Sequence, residues 1–181
     1  MNEEKGKKLK WGRECAYIAV FVALLLVAQL CFSFIAGIEL VTVLFVAYSF
    51  TFGWERGVIS AVAFSLMRQL VFGFFPQVLC LYLLYYPLLT LVFGLLGKNK
   101  TAVLKDLPSI LLFACLGTLI FSLLDLGTAA LWLHLTGQAF KVYALASLPV
   151  ALTQLACTAV TVGGLFLPLH KAFALAKKGL S

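Results

Sequence analysis

Residues 14–36 form the stretch that most limits how this chain can fold. They are almost entirely apolar and follow directly on a basic segment. An α-helix rises about 1.5 Å per residue, so about 20 apolar residues cross the roughly 30 Å hydrocarbon core of a bilayer. The stretch is therefore long enough to span a membrane. The basic segment predicts that its N-terminal end lies in the cytoplasm, because loops and tails rich in lysine and arginine stay on that side.

Composition places the whole chain in the same class. Of its 181 residues, 63% are hydrophobic and 12% are charged. Soluble domains are about half apolar and about a quarter charged. We therefore expect an all-α integral membrane protein. The net charge of +7 does not indicate nucleic-acid binding, because the cations cluster beside apolar spans, where membrane topology already explains them.

Apolar runs and turn residues divide the chain into six helices, and we predict a six-helix transmembrane bundle. A basic tail (1–13) precedes a single membrane domain (14–170), and a second basic tail (171–181) follows it. Glycine and proline residues mark the breaks between the helices. The predicted helices cover residues 14–35, 38–53, 58–73, 77–96, 108–133 and 145–167.

The distribution of cations supports this topology. With six crossings and both termini in the cytoplasm, every lysine and arginine except Arg68 and Lys141 falls on the cytoplasmic side. Helices 2 and 3 leave an alternative open. Each has only about 15 apolar residues, which fits either a short tilted span or one deep re-entrant hairpin. We favour two spans, because Glu55 and Arg56 in the connecting turn need water or lipid headgroups.

Ionisable side chains inside a membrane are costly and usually face the protein interior or a wet cavity. Depth along the predicted helices puts Glu39, Arg68 and Asp125 in the outer half of the bundle. The cytoplasmic half is largely apolar. We therefore predict a polar, aromatic-lined pocket that opens outward and takes a small molecule. The candidate ligand contacts are Glu39, Arg68, Gln77, Tyr82, Asp125, His134 and Lys141.

Structural explanations for these residues stay open at this point. Arg68 and Asp125 can neutralise each other as an ion pair, and Glu39 can cap the second helix at the membrane interface. His134 and Lys141 can be ordinary loop residues.

Signatures of enzymes and of metal sites are missing from the sequence. It contains no H-E-x-x-H motif, no G-x-S-x-G turn and no Walker motif. His134 and His170 fall on opposite sides of the membrane in the predicted topology. None of the five cysteines has C-x-x-C spacing. We therefore expect a protein that is not an enzyme and that holds no metal or cofactor.

Small residues at helical spacing lie on the first helix, at Ala16, Ala19 and Ala23. They predict a narrow, smooth ridge against which another helix can pack closely. Intramolecular packing is the alternative use of such a ridge.

These features together resemble the substrate-binding S component of energy-coupling factor (ECF) vitamin transporters. That family carries an A-x-x-x-A motif on helix 1, which Ala19 to Ala23 (AVFVA) match in place and spacing. The start of the second helix, residues 37–42 (GIELVT), and the turn from Phe52 to Gly57 are also similar to many S components.

The resemblance implies a function and a set of partners. An S component captures a vitamin-like solute on the outer side, associates with a transmembrane T component and two ABC ATPases, and topples in the membrane to deliver the solute. Ala19 and Ala23 would then be the partner contacts. No motif in the sequence assigns the vitamin. The alternative is a structural cell-envelope scaffold similar to rod-shape membrane proteins, which predicts no small-molecule ligand.

Overall fold

The computed structural model describes residues 2–35, 37–38, 40–98 and 103–179. Its elements are α1 (Asn2–Phe32), α2 (Val41–Phe52), α3 (Trp54–Phe72), α4 (Pro76–Lys98), α5 (Val103–Trp132) and α6 (Gly137–Lys178). No strand occurs in the described ranges, so the prediction of an all-α protein is confirmed. Four helical stretches are long and apolar enough to cross a membrane: Gly12–Phe32, α4, α5 and α6. The fold is therefore compatible with a membrane bundle.

The short helix α2 lies at the centre of this bundle. All 12 of its residues are buried, and it packs against α6 and α4, and to a smaller extent against α3 and α1. A helix that is apolar on every side belongs in a protein interior. At helical rise α2 measures about 18 Å, which is less than the thickness of a bilayer core. The surrounding helices therefore provide its apolar environment.

The outer faces of the bundle are apolar as well. On α1 a stripe that includes Phe21, Leu25 and Ala28 is buried against the other helices. The far sides of the helices expose large hydrophobic residues, for example Leu70 at 78% and Leu123 at 69%. A soluble protein rarely exposes so continuous an apolar surface. An apolar surface of this kind is suited to contact with lipid.

Two polar contacts define one end of the bundle. The Arg56 guanidinium lies 2.6 Å from the Glu14 carboxylate, which joins the first turns of α3 to α1. Lys177 donates a hydrogen bond of 2.6 Å to the backbone carbonyl oxygen of Thr51, which joins the end of α6 to that of α2. We call this the basic end, and the opposite end, where α1 and α3 finish, the pocket end. Successive helices run in opposite directions, and both ends of the described chain lie at the basic end.

Glycines let the backbones approach closely near the basic end. A Cβ atom at Gly97 would collide with the carbonyl oxygen of Phe50, and one at Gly94 with the backbone of Trp54. A Cβ at Gly57 would lie 2.9 Å from the Cβ atoms of both Ser49 and Thr90. Helices α2, α3 and α4 are therefore packed there at a distance that only glycine allows.

Several predicted boundaries are wrong. α1 begins at Asn2, so residues 2–13, predicted as a tail, continue the helix. α3 starts at Trp54 and not at 58, because Gly53 alone, with φ of 96°, makes the turn. α5 starts at Val103 and not at 108, and Pro108 lies inside it. α6 starts at Gly137 and not at 145, and it continues past 167 through residues 171–178 of the predicted C-terminal tail. Bilayer thickness limits only the apolar part of a helix. Because Lys, Glu, Ala and Leu all favour helix, a helix can continue beyond its apolar part.

Candidate functional site

A cavity of about 390 Å³ lies at the pocket end, between the last turns of α1 and α3. The segment that follows α1 and the turn that follows α3 complete its walls. Its lining residues are Gln29, Phe32, Ser33, Ile35, Gly37, Ile38, Arg68, Phe72 and Phe75. Volumes of roughly 300–1,000 Å³ are typical of small-molecule sites, so the cavity is large enough for a small ligand.

Arg68, on α3, is the charged residue among these lining side chains. Its Nε and Nη1 atoms are buried and have no hydrogen-bond partner among the described residues. The guanidinium lies over two aromatic rings, with Cζ 5.2 Å from the Phe72 centroid and 5.1 Å from the Tyr82 centroid. Cation–π contacts stabilise the charge but supply no hydrogen-bond acceptor in the guanidinium plane. The Arg68 side chain is therefore held in position, with N–H groups that lack acceptors.

Gln29 connects α1 to the same aromatic side chain. Its Nε2 atom donates a hydrogen bond of 3.1 Å to the Tyr82 hydroxyl. Its Oε1 atom is buried and has no partner in the described part of the chain. Tyr82 thus contacts both Arg68 and Gln29, the first through its ring and the second through its hydroxyl. The two unsatisfied groups are opposite in character: Arg68 offers donors and Gln29 offers an acceptor.

The turn after α3 is fixed by a side chain. Gln69 is 7% exposed, and its Oε1 atom accepts a hydrogen bond of 2.9 Å from the backbone N–H of Phe75. Gly73, with φ of 95°, makes the reversal that brings Phe75 back to the cavity. The aromatic wall at Phe75 is therefore held by backbone geometry and by one side-chain hydrogen bond.

The segment after α1 is fixed by its contact with α6. Gly37 has φ of 83°, and a Cβ atom there would lie 2.8 Å from the Cβ of Thr153. Only glycine adopts this conformation readily and leaves room for Thr153. The position of this wall of the cavity therefore depends on Gly37.

The structure brings together two of the residues predicted to bind ligand. Arg68 lines the cavity and Tyr82 lies directly beneath its guanidinium. Glu39 lies outside the described residues. Gln77 is half-buried in the first turn of α4, and it is not among the residues that line the cavity.

The other three predicted ligand contacts lie on α5 and α6 or in the turn between them. Asp125 is half-buried on α5. His134 is exposed in the turn, with φ of 50°, and Lys141 is exposed on α6. None of the three lines the Arg68 cavity.

The ion pair between Arg68 and Asp125, which the sequence left open, is not formed. Among the described residues the ion pair found is that of Arg56 with Glu14. The reason is adjacency: α5 packs on α4 and α6, whereas α3 packs on α4, α1 and α2. Equal depth in the membrane does not make two helices neighbours.

Sequence reasoning missed Gln29 and the aromatic wall of the cavity. Gln29 had a signal, because it is a polar residue within the apolar stretch of α1 and is costly there for the same reason as Arg68. Phe32, Phe72 and Phe75 had none, since an apolar side chain near a helix end is equally consistent with a position facing lipid.

Two further cavities are apolar. One, of about 350 Å³, lies between α4 and α5, and the other, of about 400 Å³, lies between α5 and α6. Aliphatic and aromatic side chains line the first, and leucine, alanine and serine the second. Among their described lining residues the Tyr85 phenol is the ionisable side chain, so we place the candidate site at Arg68. No group of three His, Cys, Asp or Glu side chains able to hold a metal occurs in the described ranges.

The predicted partner ridge on α1 faces outward. Ala16, Ala19 and Ala23 are exposed, on the side of the helix opposite the buried residues Phe21 and Leu25. Intramolecular packing, the other use considered for these residues, does not apply within the described chain.

Comparison with known proteins assigns no family. No protein-family model matches the chain, and no curated protein or solved structure matches it either. Its function is therefore argued from the cavity at Arg68 and from the distribution of charge.

Proposed function

We propose that this chain is the substrate-capture subunit of an ECF-type importer, a binding protein and not an enzyme. It would bind a vitamin-like small molecule from outside the cell and deliver it inward. One observation carries the proposal: a cavity of ligand size contains a guanidinium with two buried nitrogens that lack partners in the described chain. An unpaired intramembrane charge is costly, and such groups usually mark a site of function.

The proposed topology has six crossings, with both termini in the cytoplasm of a bacterial-type cell. Helices α2 and α3 count as two of them, because Arg56 at the start of α3 pairs with Glu14, where the apolar stretch of α1 begins. The basic end carries Arg13, Arg56, Lys98, Lys105, Lys171, Lys177 and Lys178. The positive-inside rule favours this end in the cytoplasm, and the Arg68 cavity then opens to the outside.

The proposed partners are a transmembrane T component and two ABC ATPases. Support comes from the exposed ridge at Ala19 and Ala23, whose small side chains allow a second helix to approach the α1 backbone. The chain has no Walker motif, so ATP hydrolysis would occur on the partners.

Native mass spectrometry of the detergent-purified chain tests the capture role. We expect a small molecule that remains bound through purification and is released on unfolding. Arg68→Gln should release it, whereas Arg13→Gln, an arginine at the basic end, should retain it. A chain that carries no small molecule and stimulates no solute uptake in cells would instead be a structural scaffold of the cell envelope.

Substitution of the ridge tests the partner role. In cells that also contain the T component and the ATPases, Ala19→Trp and Ala23→Trp should abolish uptake, because an indole prevents close helix packing. Binding by the solitary subunit should be unchanged. Leu123→Trp, at a position on α5 that is 69% exposed, is the matched control and should transport normally. Loss of binding together with uptake would contradict the assigned role of the ridge.

A further inference from the structure

The Arg68 cavity contains two opposite hydrogen-bonding needs. The Nε and Nη1 nitrogens of Arg68 are donors without acceptors, and Oε1 of Gln29 is an acceptor without a donor, within the described chain. Buried polar groups are normally satisfied, and an unsatisfied one in a native protein requires an explanation. Both residues line the same cavity, so one such explanation is a ligand toward which the two side chains turn their buried atoms and which supplies the missing partners.

The charge of the cavity limits what that ligand can be. Arg68 contributes one positive charge, and the other described residues that line the cavity are neutral. A carboxylate carries one negative charge and matches the planar guanidinium in geometry. A phosphate monoester carries about 1.5 to 2 negative charges at neutral pH, and would leave excess charge in an otherwise neutral cavity. A carboxylate is therefore the better counter-ion.

The remaining walls indicate the body of the ligand. Phe32, Phe72 and Phe75 supply aromatic surface, and Ile35 and Ile38 supply aliphatic surface. Rings and hydrocarbon groups bind such walls by burial of apolar area and by offset stacking.

We propose that this cavity binds a small organic monocarboxylate. Its carboxylate pairs with Arg68, a hydroxyl or N–H group donates to Oε1 of Gln29, and its apolar part lies against the phenylalanine side chains. The assignment rests on the capture role proposed for the same cavity and names the chemical class of the solute.

Matched pairs of fragments test the charge preference directly. Benzoate and 3-phenylpropionate are compared with benzamide and 3-phenylpropionamide, each at 10 mM, by thermal unfolding of the purified chain in detergent. We expect the carboxylates to raise the melting temperature by about 3 °C, as for a dissociation constant of about 1 mM. The amides should cause no shift. Phenyl phosphate, which carries more charge, should bind no better than benzoate.

Variants locate the effect at the guanidinium. Arg68→Gln should lose the carboxylate shift, and Arg68→Lys, which keeps the charge but not the planar fork, should retain part of it. Arg13→Gln should behave as the wild type. Equal shifts by acids and amides, a full shift in Arg68→Gln, or no carboxylate shift in the wild type would each overturn the assignment.

A second variant keeps the test informative if Arg68 substitutions fail to fold. Gln29→Glu places a carboxylate in the same cavity, where the Tyr82 hydroxyl can donate to it in place of the Gln29 amide. We expect this variant to melt at a higher temperature without ligand and to bind benzoate at least about tenfold more weakly, since the new carboxylate competes for Arg68. Benzoate binding equal to that of the wild type would contradict a carboxylate site at Arg68.

Glu39→Gln removes a carboxylate of the chain itself. Unchanged benzoate binding in this variant supports the proposal. Binding that appears only in this variant would mean that Glu39 is the partner of Arg68, and the proposal would be wrong.

The retained compound separates this inference from the proposed function. A bound carboxylic acid supports both. A bound neutral or cationic compound leaves the capture role intact and overturns the assignment of a carboxylate. The chain could instead retain no compound and support no uptake, yet bind the fragments in the expected pattern. That result would support the carboxylate site and contradict the proposed importer function.

Discussion

The two ends of the bundle satisfy their polar groups in different ways. At the basic end, Arg56 pairs with Glu14, and Lys177 donates to the Thr51 carbonyl oxygen. The Thr51 hydroxyl lies 2.8 Å from Nδ1 of His170. At the pocket end, Arg68 has two nitrogens without partners among the described residues. The comparison separates an end where these side chains pair within the chain from one where buried polar atoms have no partner among the described residues.

Buried polar atoms without a hydrogen-bond partner are concentrated at the pocket end. Five buried side-chain nitrogen and oxygen atoms lack a hydrogen-bond partner in the described chain, and four of them belong to Gln29, Arg68 and Gln69 at the pocket end. The fifth is the hydroxyl of Tyr48 on α2, which lies toward the basic end and has the Ser60 hydroxyl, Arg56 and Glu14 among its polar neighbours. The helices are also packed more closely near the basic end, where glycines bring the backbones together. At the pocket end, a cavity of about 390 Å³ separates α1 from α3.

The largest effect is expected from breaking the close packing. Gly97→Ala places a methyl group against the carbonyl oxygen of Phe50, and Gly94→Ala places one against the backbone of Trp54. Backbone atoms cannot rotate away as a flexible side chain can. We expect each variant to lose about 3 kcal/mol of stability, measured by thermal unfolding in detergent.

Glycines without neighbours provide the control for that experiment. At Gly127 on α5 and Gly163 on α6, the position that an alanine Cβ would take has no neighbouring atom within 4 Å in the described chain. Alanine there should be neutral or should stabilise the helix by about 0.5–1 kcal/mol. Similar losses at all four positions would mean that the close approach at the basic end is not what stabilises it.

A smaller effect, on both stability and binding, is expected at the wall of the cavity. Gly37→Ala combines a positive φ of 83° with a contact of 2.8 Å to Thr153. We expect a loss of about 1–2 kcal/mol and an affinity for benzoate reduced about tenfold, because the displaced segment lines the cavity. Isothermal titration and thermal unfolding measure the two effects. Gly37→Ala with unchanged binding would show that this segment is not part of the site.

Removal of the unpaired charge should raise stability at the expense of binding. Arg68→Met keeps much of the side-chain volume and eliminates two buried donors that lack partners in the described chain. Unsatisfied buried groups cost about 1–3 kcal/mol each, whereas each cation–π interaction that the variant removes is worth roughly 0.5–1 kcal/mol. We therefore expect the ligand-free variant to be more stable by about 1 kcal/mol and unable to bind benzoate. A destabilised variant would indicate that Arg68 has a structural role.

The cost of burial made part of this comparison predictable from the sequence. Arg68 and Tyr82 were identified because a polar group inside a membrane has few acceptable environments. The same rule leads to Gln29. Asp125 was grouped with Arg68 because sequence gives depth along a helix, but it does not give which helices are neighbours, and α5 does not pack on α3.

The sequence predicted some helix ends well and others poorly. α2 and α4 were placed within about three residues of their ends, because Gly53, Gly73 and Pro76 break the backbone pattern. The ends of α1 and α6 were misplaced, since polar residues that favour helix carry it past the apolar stretch. The phenylalanine walls of the cavity were not predictable, because the same apolar side chain suits lipid, core and ligand.

The smallest effect is expected at the ion pair of the basic end. The side chains of Arg56 and Glu14 remain 27% and 46% exposed, so water and salt screen their attraction, and a coupling energy of about 0.5 kcal/mol is typical of such pairs. A double-mutant cycle of Glu14→Gln and Arg56→Gln should give that value, falling at high salt. Benzoate binding should be unaffected, because the pair lies at the opposite end from Arg68. A change in benzoate binding in either variant would mean that the two ends are coupled. The contrast between a basic end with paired polar groups and a pocket end with unpaired ones would then be wrong.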